Sequence, residues 1–202
     1  MASIYAIKPA FQSLLRPLCR QLAERGITAN QVTVSALLLS IVTGVLVALG
    51  YSHAPVFALL PLVLFVRMAL NAIDGMLARE HAMQSALGAI LNELCDVVSD
   101  VALYLPFALV PGLSPWLLVM LVISAVISEM TGVIAVQIGA TRRYDGPMGK
   151  SDRAFVFGAV GLALALGISP GAWLDGLFAV VLALTLLTIV NRARHALTEV
   201  AQ

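Results

Sequence analysis

The 202-residue chain is 60% hydrophobic and only 11% charged, with a mean hydropathy of +0.98 and a formal net charge of +1. Soluble domains carry about 25% charged residues, so this chain has too few charges to cover a surface that faces water. The composition excludes a soluble globular protein, and no nucleic-acid partner is expected. We therefore expect a protein whose solvent is the lipid bilayer and whose first partners are membrane lipids.

The N-terminal segment, residues 1–27, predicts an amphipathic helix that lies on the membrane surface. Apolar residues recur three or four positions apart, and polar residues occupy the other face. The apolar set is Ile4, Ile7, Phe11, Leu14, Leu15, Leu18 and Leu22, and the polar set is Lys8, Gln12, Arg16 and Arg20. This pattern is typical of an interfacial helix on an anionic leaflet. The alternative is a cytoplasmic helix packed against other protein.

Residues 28–202 contain six apolar stretches that predict membrane-spanning helices, because a span needs about 20 mostly apolar residues. The candidates are 33–50, 54–73, 87–110, 114–138, 154–168 and 172–190, of which the fifth is short. We therefore predict an all-α membrane protein of one domain, with an interfacial helix over 1–27 and a six-helix bundle over 28–202.

The orientation of these spans follows from the positions of the cations. Of the 12 Lys and Arg residues, all except Arg67 lie in the N-terminal segment, in the loops between spans 2 and 3 and between spans 4 and 5, or in the C-terminal tail. Six spans place these four regions on one face, which the positive-inside rule makes cytoplasmic. We therefore predict that both termini are cytoplasmic.

Polar residues within predicted spans 2 and 3 form two stripes. The stripe on span 2 consists of Arg67, Asn71, Asp74 and Ala78, and the stripe on span 3 consists of Gly88, Asn92, Asp96 and Asp100, with Glu93 at its edge. A short loop makes the two spans neighbours, and charges within spans mark function by default. We therefore expect the stripes to face each other in a pocket that opens to the cytoplasm. Its carboxylate and amide oxygens suit a hard divalent cation such as Mg²⁺.

The stretch from Asn71 to Asp96 resembles the signature of the CDP-alcohol phosphatidyltransferase family. That signature reads D-x-x-D-G-x-x-A-R, then eight residues, then G-x-x-x-D-x-x-x-D. Six of its eight fixed positions match at unbroken spacing, namely Asp74, Gly75, Ala78, Arg79, Gly88 and Asp96. The resemblance extends over essentially the whole chain, because six spans, a cytoplasmic site and an N-terminal interfacial helix agree with the family's architecture. It also implies a homodimer.

The resemblance implies an enzyme of phospholipid biosynthesis. Such an enzyme transfers a phosphatidyl group from CDP-diacylglycerol to an acceptor alcohol and releases CMP. Asp74 and Asp96 would be ligands of Mg²⁺ or Mn²⁺, and Asp96 would also take the proton of the acceptor hydroxyl. The donor would be bound by Gly75, Ala78, Arg79 and Gly88, and by Asn30 and Thr33, which lie in a segment similar to the family's T-P-N-x-x-T element. Capping of a helix by Thr28 or Asn30 is an alternative role for that segment. The acceptor alcohol stays open.

The chain departs from the family pattern at two positions, where Asn71 and Asn92 replace the first and third Asp. An amide oxygen ligates metal without contributing charge, so two metal ions would be undercompensated. Three outcomes are open: one firmly held metal, compensation by Glu93 or Asp100, or a protein that binds the CDP-lipid without catalysis. The same asparagine pair occurs in a subgroup of bacterial inner-membrane proteins that this sequence resembles.

Basic residues elsewhere predict phosphate binding. The loop between spans 4 and 5 carries Arg142, Arg143, Lys150 and Arg153, which would bind an acceptor or lipid phosphate at the headgroup level. The alternative is a topology signal that binds anionic lipids without specificity. Arg67, deeper in span 2, would contact the acceptor or form a structural ion pair with Asp100 or Glu129.

A competing function is transport, because intramembrane charges also line proton and cation pathways. Against it, the sequence shows no inverted repeat and no pair of broken spans at matching places in two halves. Release of CMP would distinguish the enzyme from the transporter and from the binding protein.

Overall fold

A computed structural model describes the backbone of residues 4–201 and the side chains of residues 9–201. Seven α-helices lie within residues 4–201. They are α1 (Ile4–Glu24), α2 (Ala29–Gly50), α3 (Leu59–Glu80), α4 (Ala86–Tyr104), α5 (Pro115–Ile134), α6 (Lys150–Ala165) and α7 (Ala172–Val200). Short 3₁₀ helices precede α3 at Ala54–Ala58 and follow α4 at Leu105–Leu109 and α5 at Ala135–Ile138. The predicted all-helical class is therefore confirmed, and a helix occupies the place of each predicted span.

Four segments of the described chain are long and apolar enough to cross a membrane: Ala29–Gly50, Ala54–Glu80, Pro115–Ile138 and Ala172–Val200. The other two predicted spans, 87–110 and 154–168, do not meet this description. Helix α4 carries three carboxylates, and α6 has only 16 residues, fewer than the roughly 20 that a span needs. The protein is thus an all-helical membrane protein with four candidate spans. Many large apolar side chains on these segments are exposed, as a lipid-facing surface requires; on α2 they include Leu38, Val42, Val45, Leu46 and Leu49.

The chain divides into two compact units. The first consists of the chain up to Val42 together with Val63–Ser99, and its core is the buried cluster of Cys19, Ala29, Val32, Ile73, Met76 and Leu77. Helix α1 contributes Cys19 to this core and packs Leu15 and Leu22 against it, whereas Leu14 is 75% exposed and Leu18 is 45% exposed. An ion pair of 3.0 Å between Arg16 and Glu80 joins α1 to the end of α3.

The helix predicted at the membrane surface therefore packs one side against protein and leaves other apolar side chains exposed. The packing against protein agrees with the second of the two alternatives for this segment, and the location at the membrane surface stays a prediction. The side chains of Ile4, Ile7 and Lys8, which belong to the predicted amphipathic pattern, lie outside the described residues.

The second unit consists of Thr43–Leu62 and the chain from Asp100 onward. Aromatic rings fill its core: Tyr104 stacks on Phe157 with ring centroids 4.0 Å apart, and Phe107 and Phe178 lie 5.2 Å and 5.1 Å from Phe157. Gly161 allows α6 to approach the start of α3 closely, because a Cβ at this position would lie 3.0 Å from Leu60 Cβ. The close fit fixes α6 against the start of α3 within this unit.

Candidate functional site

The first element of the site is the start of α2, which a reciprocal cap fixes. The Thr28 hydroxyl accepts from the Gln31 backbone N–H at 3.3 Å, and the Thr28 N–H donates to Gln31 Oε1 at 2.9 Å. This is the capping-box arrangement of a Thr followed three residues later by a Gln. Thr28 therefore has the capping role that was one of the two alternatives. The cap fixes the start of α2, so that Asn30 and Thr33 lie in its first two turns.

Thr33 connects α2 to the motif carboxylate on α3. Its hydroxyl lies 2.8 Å from Asp74 Oδ2, to which it donates, and 3.1 Å from the Ala29 carbonyl of its own helix. Both Thr33 and Asp74 are buried. A hydroxyl that donates to an ionised carboxylate forms one of the stronger hydrogen bonds in proteins. The bond holds Asp74 in place from a second helix.

Two donors on α3 hold the motif carboxylate of α4. Asn71 Nδ2 donates to Asp96 Oδ1 at 3.0 Å. Arg67 Nη2 donates to the Asp96 backbone carbonyl at 2.9 Å and lies 3.4 Å from Oδ1. Arg67 is almost fully buried, whereas the Asp96 side chain is 25% exposed. The structure therefore contains an ion pair of Arg67, and Asp96 is one partner.

The two motif carboxylates belong to one site. Asp74 lies about one turn after Asn71 on α3, and Asn71 donates to Asp96 on α4. Asn92 and Glu93, one turn before Asp96 on α4, are half-buried. The structure thus brings Arg67 and Asn71 of the α3 stripe against Asp96 of the α4 stripe, whereas Asp100 of the α4 stripe pairs with Arg153.

Small motif residues make room for polar side chains. A Cβ on Gly75 would lie 3.0 Å from Arg79 Nη2, so the Arg79 guanidinium folds back over Gly75. A Cβ on Gly88 would lie 2.7 Å from Asn30 Oδ1, so Gly88 lets Asn30 approach α4. Ala78 packs against the core of the first unit. The residues that the resemblance implies for donor binding therefore lie close to each other in two groups, Gly75 with Arg79 and Gly88 with Asn30.

The site's ability to hold a metal rests on Asp74 and Asp96. Within residues 4–201 no group of three or more His, Cys, Asp and Glu side chains is placed to hold a metal ion, because amides stand at Asn71 and Asn92. A carboxylate can accept about four hydrogen bonds through its two oxygens, so the bonds from Thr33 and Asn71 are compatible with ligation of a cation as well. Two carboxylates and neighbouring amide oxygens fit one hard divalent cation.

A second charged cluster lies in the other unit, around Glu129 on α5. Glu129 Oε1 accepts from Arg153 Nη2 at 2.8 Å and lies 3.3 Å from Arg192 Nη1, and its Oε2 lies 3.8 Å from Arg142. Arg153 also lies 3.6 Å from Asp100 and donates to the Met148 carbonyl at 3.1 Å. Arg153 is fully buried, which differs from the predicted cation at the headgroup level. Two carboxylates of the same unit, those of Glu129 and Asp100, balance the positive charge of Arg153.

The loop before α6 is anchored to α7 by a further set of ion pairs. Arg143 binds Asp145 at 2.7 Å and Glu199 at 2.6 Å, and Glu199 also accepts from the backbone and hydroxyl of Thr141. His195 Nδ1 lies 3.0 Å from Asp145. Burial alone would raise the pKa of Asp145, but the hydrogen bonds from Arg143 and His195 outweigh it and hold that pKa below its ordinary value. An open depression of about 390 Å³ is lined by Thr141, Arg143, His195, Thr198 and Glu199.

Sequence reasoning missed the central position of Glu129 and the pairing roles of Asp145, Arg192, His195 and Glu199. The hydrogen bond of Arg153 to Glu129 joins residues 24 positions apart in the chain, and that of Arg192 to Ser128 joins residues 64 positions apart. No helical spacing signals such contacts. Lys150, the remaining predicted phosphate ligand, is half-buried at the first position of α6.

The fold and the site define a helical membrane protein with an acid and amide site on α3 and α4, supported from α2. The family model of the CDP-alcohol phosphatidyltransferases matches residues 26–191. The chain therefore belongs to the CDP-alcohol phosphatidyltransferase family, as the motif predicted.

Known proteins agree with this assignment. Inner membrane protein YnbA of Escherichia coli is 47% identical over 200 residues, which cover 99% of each chain. Phosphatidylinositol phosphate synthase (PgsA1) of Mycobacterium tuberculosis has a similar fold in two crystal structures. The complex with manganese and citrate gives a TM-score of 0.74 at 20% identity and covers 90% of this chain and 88% of that one. The complex with CDP-DAG gives 0.72 at 19% identity and covers 91% and 92%. At such identities the likeness shows the fold alone.

Proposed function

We propose that the protein transfers a phosphatidyl group from CDP-diacylglycerol to an acceptor alcohol and releases CMP. The observation that carries this proposal is the pair of motif carboxylates in one site: Asp74 held by Thr33, and Asp96 held by Asn71 and Arg67. This construction leaves one carboxylate, that of Asp96, 25% exposed and in a fixed position beside polar side chains. The synthase of similar fold that was crystallised with CDP-DAG supports the choice of donor.

In the proposed reaction Asp96 accepts the proton of the acceptor hydroxyl. The hydroxyl oxygen forms a bond to the lipid-side phosphorus of the donor, and the bond between that phosphorus and the CMP oxygen breaks. Arg79 donates to the phosphates through its planar guanidinium, and Asn30, Thr33, Gly75, Ala78 and Gly88 shape the nucleotide site. Such groups act mainly by positioning and by offsetting charge, which is the main task in phosphoryl transfer.

The proposed cofactor is one Mg²⁺ or Mn²⁺ ion held by Asp74 and Asp96, with amide oxygens of Asn71 and Asn92 in support. When bound, the ion would offset negative charge on the pyrophosphate. A complex of the similarly folded synthase contains manganese. Compensation by Asp100 has less support, because that carboxylate pairs with Arg153, and Glu93 stays a candidate.

The proposal includes the location and the assembly. We place the chain in a bacterial inner membrane, as the name of the Escherichia coli relative suggests, with six crossings, cytoplasmic termini and a cytoplasmic site. The two helices that fall short as isolated spans, α4 and α6, would cross within the bundle, where neighbouring helices cover their charges. The active form would be a homodimer. Lys150 and the arginines of the 141–153 loop would assist acceptor or lipid phosphate binding.

The deciding experiment is a CMP-release assay on purified protein with CDP-diacylglycerol, Mn²⁺ and a panel of alcohols that includes serine, glycerol phosphate, inositol phosphate and a lipid alcohol. We expect release with at least one acceptor. Asp96→Asn keeps the acceptor oxygen for Asn71 and Arg67 but cannot take a proton, so release should fall about 10²–10⁴-fold. Glu80→Gln, at the exposed end of α3, is the matched control and should retain release. Retention within about tenfold in Asp96→Asn would exclude Asp96 as the base.

A second candidate function is supported by the Asn71 contact. Asn71 donates to Asp96, which an aspartate at that position could not do, so the asparagine stabilises the site without metal. A CDP-lipid-binding protein without turnover would show stabilisation by CDP-diacylglycerol and no CMP release with any acceptor.

A further inference from the structure

Arg67 is a cation built into the candidate site. It lies on α3 about one turn before Asn71 and about two turns before Asp74. Its side chain is 4% exposed, although an arginine inside an apolar helix is costly unless it is paired and used. The phosphoryl-transfer steps described above assign it no task.

Two contacts of Arg67 reach the same residue, Asp96. Its Nη2 reaches both the backbone carbonyl and the Oδ1 carboxylate oxygen of Asp96, at 2.9 Å and 3.4 Å. Asn71 Nδ2 donates to the same Oδ1 at 3.0 Å. Two donors from adjacent turns of α3 therefore fix the rotation of the Asp96 carboxylate and place a positive charge against it.

That charge changes the balance of the site. Asp74 and Asp96 contribute two negative charges and Arg67 contributes one positive charge, so the net charge of these three groups is −1. A divalent cation bound to Asp96 would lie near the guanidinium, and like charges a few ångströms apart repel strongly where water is scarce. Asn71, where an aspartate would add a negative charge, adds none.

We propose that Arg67 positions Asp96 and supplies positive charge that a bound metal would otherwise provide, so that the site holds at most one divalent cation, and holds it weakly until the donor pyrophosphate arrives. The identity of the donor rests on the proposed function, whereas the role of Arg67 rests on the contacts above. The pyrophosphate adds negative charge and oxygen ligands, as substrate phosphates commonly do for Mg²⁺. Metal and donor should therefore tighten each other's binding by the same factor.

The test is Mn²⁺ binding, followed by the electron paramagnetic resonance signal of free Mn²⁺, on purified protein with and without CDP-diacylglycerol. Wild-type protein should bind weakly without donor and take up at most one Mn²⁺ per chain with it. Arg67→Gln removes the charge and should tighten donor-free Mn²⁺ binding about tenfold or more, the scale expected when a charge within about 4 Å is removed. Arg67→Lys keeps the charge and should stay within about threefold of wild type, as should Arg20→Gln, which alters an exposed arginine on α1.

The positioning role has its own readout. Arg67→Lys has a single ammonium in place of the planar fork, so it should lower kcat for CMP release more than it raises the donor KM. A purely structural arginine would leave the Mn²⁺ affinity of folded Arg67→Gln unchanged.

Two results would overturn the inference. One is donor-free Mn²⁺ affinity in Arg67→Gln within about threefold of wild type. The other is wild-type protein that already holds two Mn²⁺ tightly without donor, and this measurement decides the matter even if Arg67→Gln does not fold. Neither result requires turnover. A protein that binds Mn²⁺ as expected and releases no CMP therefore contradicts the proposed function alone.

Discussion

The two units each contain a cluster of charges, and the clusters are built differently. In the first unit, Asp74 and Asp96 are held by a hydroxyl, an amide and one arginine, and Asp96 keeps a 25% exposed side chain. In the second unit, Glu129 forms ion pairs with Arg153, Arg192 and Arg142, and the side chains of Glu129 and Arg153 are at most 9% exposed. In the first cluster a carboxylate is accessible to water, whereas in the second the carboxylate and Arg153 are closed off from water and Arg142, with a 25% exposed side chain, lies at the edge.

The difference separates chemistry from stability. A carboxylate that reaches water can exchange a proton and meet a ligand, and its neighbours can be altered at moderate cost. A closed ion-pair cluster is costly to break, because removal of one partner leaves a buried charge uncompensated. We therefore expect substitutions in the first cluster to change binding and turnover, and substitutions in the second to change folding.

The sharpest test of this contrast compares two buried arginines. Arg153→Met should lower the free energy of unfolding by about 3–5 kcal/mol, because Glu129 and Asp100 lose a shared partner in a closed site. Arg67→Met should cost clearly less, because its partner Asp96 is reachable by water. The measurement is unfolding in mixed micelles, with Arg79→Met as the exposed control. If Arg67→Met lost more free energy of unfolding than Arg153→Met, the assignment of chemistry to the first cluster and stability to the second would be reversed.

The next test compares two glycines. A Cβ on Gly132 would lie 2.5 Å from the Arg143 backbone carbonyl, which cannot move without shifting the loop. Gly132→Ala should therefore cost about 1–3 kcal/mol of stability. A Cβ on Gly88 would meet the end of the Asn30 side chain, which can rotate away. Gly88→Ala should change stability little and weaken donor binding. Equal losses of stability in the two variants would remove the contrast.

A smaller effect is expected at Thr33. Thr33→Val removes the hydroxyl that donates to Asp74 and should cost about 1.5–3 kcal/mol if the full value of a hydrogen bond to a charged group is lost, less where water replaces it. CMP release should fall at the same time. Ser40→Ala is the matched control, since Ser40 is buried on the same helix and donates only to its own Ala36 carbonyl. Unchanged release in Thr33→Val would mean that Asp74 needs no support from α2.

Much of the fold could be predicted, because apolar runs and turn residues are local signals. The boundaries were less certain where packing decides them. The predicted spans 172–190 and 154–168 do not give the helix ends. Helix α7 extends beyond its predicted span to Val200, with Arg192 and Ala196 buried. Helix α6 begins before its predicted span, at Lys150, where the Asp152 carboxylate accepts from the Gly149 N–H.

The site was predictable to the level of helix faces. Spacings of three and four residues placed Asn71 and Asp74 on one stripe and Asp96 on the stripe that faces it, and the structure brings them together. Spacing gives depth along a helix but not the rotation of one helix against another, so the sequence did not indicate Asp96 as a partner of Arg67, and the structure shows that pair. The Glu129 cluster needs residues from α5, α6 and α7, which no local pattern connects.

The smallest expected effect concerns Asp145 in the loop anchored to α7. Its pKa lies below the ordinary value of about 3.8 because hydrogen bonds from Arg143 and His195 outweigh the effect of burial. A carboxylate with a depressed pKa in the folded state contributes stability that is fully present above its ordinary pKa and is lost as the pH falls through the folded-state pKa. Asp145→Asn should therefore lower the melting temperature slightly at pH 7, and the difference from wild type should vanish at a pH well below 4.

Because Arg143 and Asp145 are partly exposed, salt should weaken the effect as well. Asp152→Asn, which alters a carboxylate of the neighbouring helix start, is the control for general acid effects. A difference that persists unchanged into acid would mean that the loop is held by the remaining contacts of Glu199 and Thr141, and that the anchoring does not depend on the charge of Asp145.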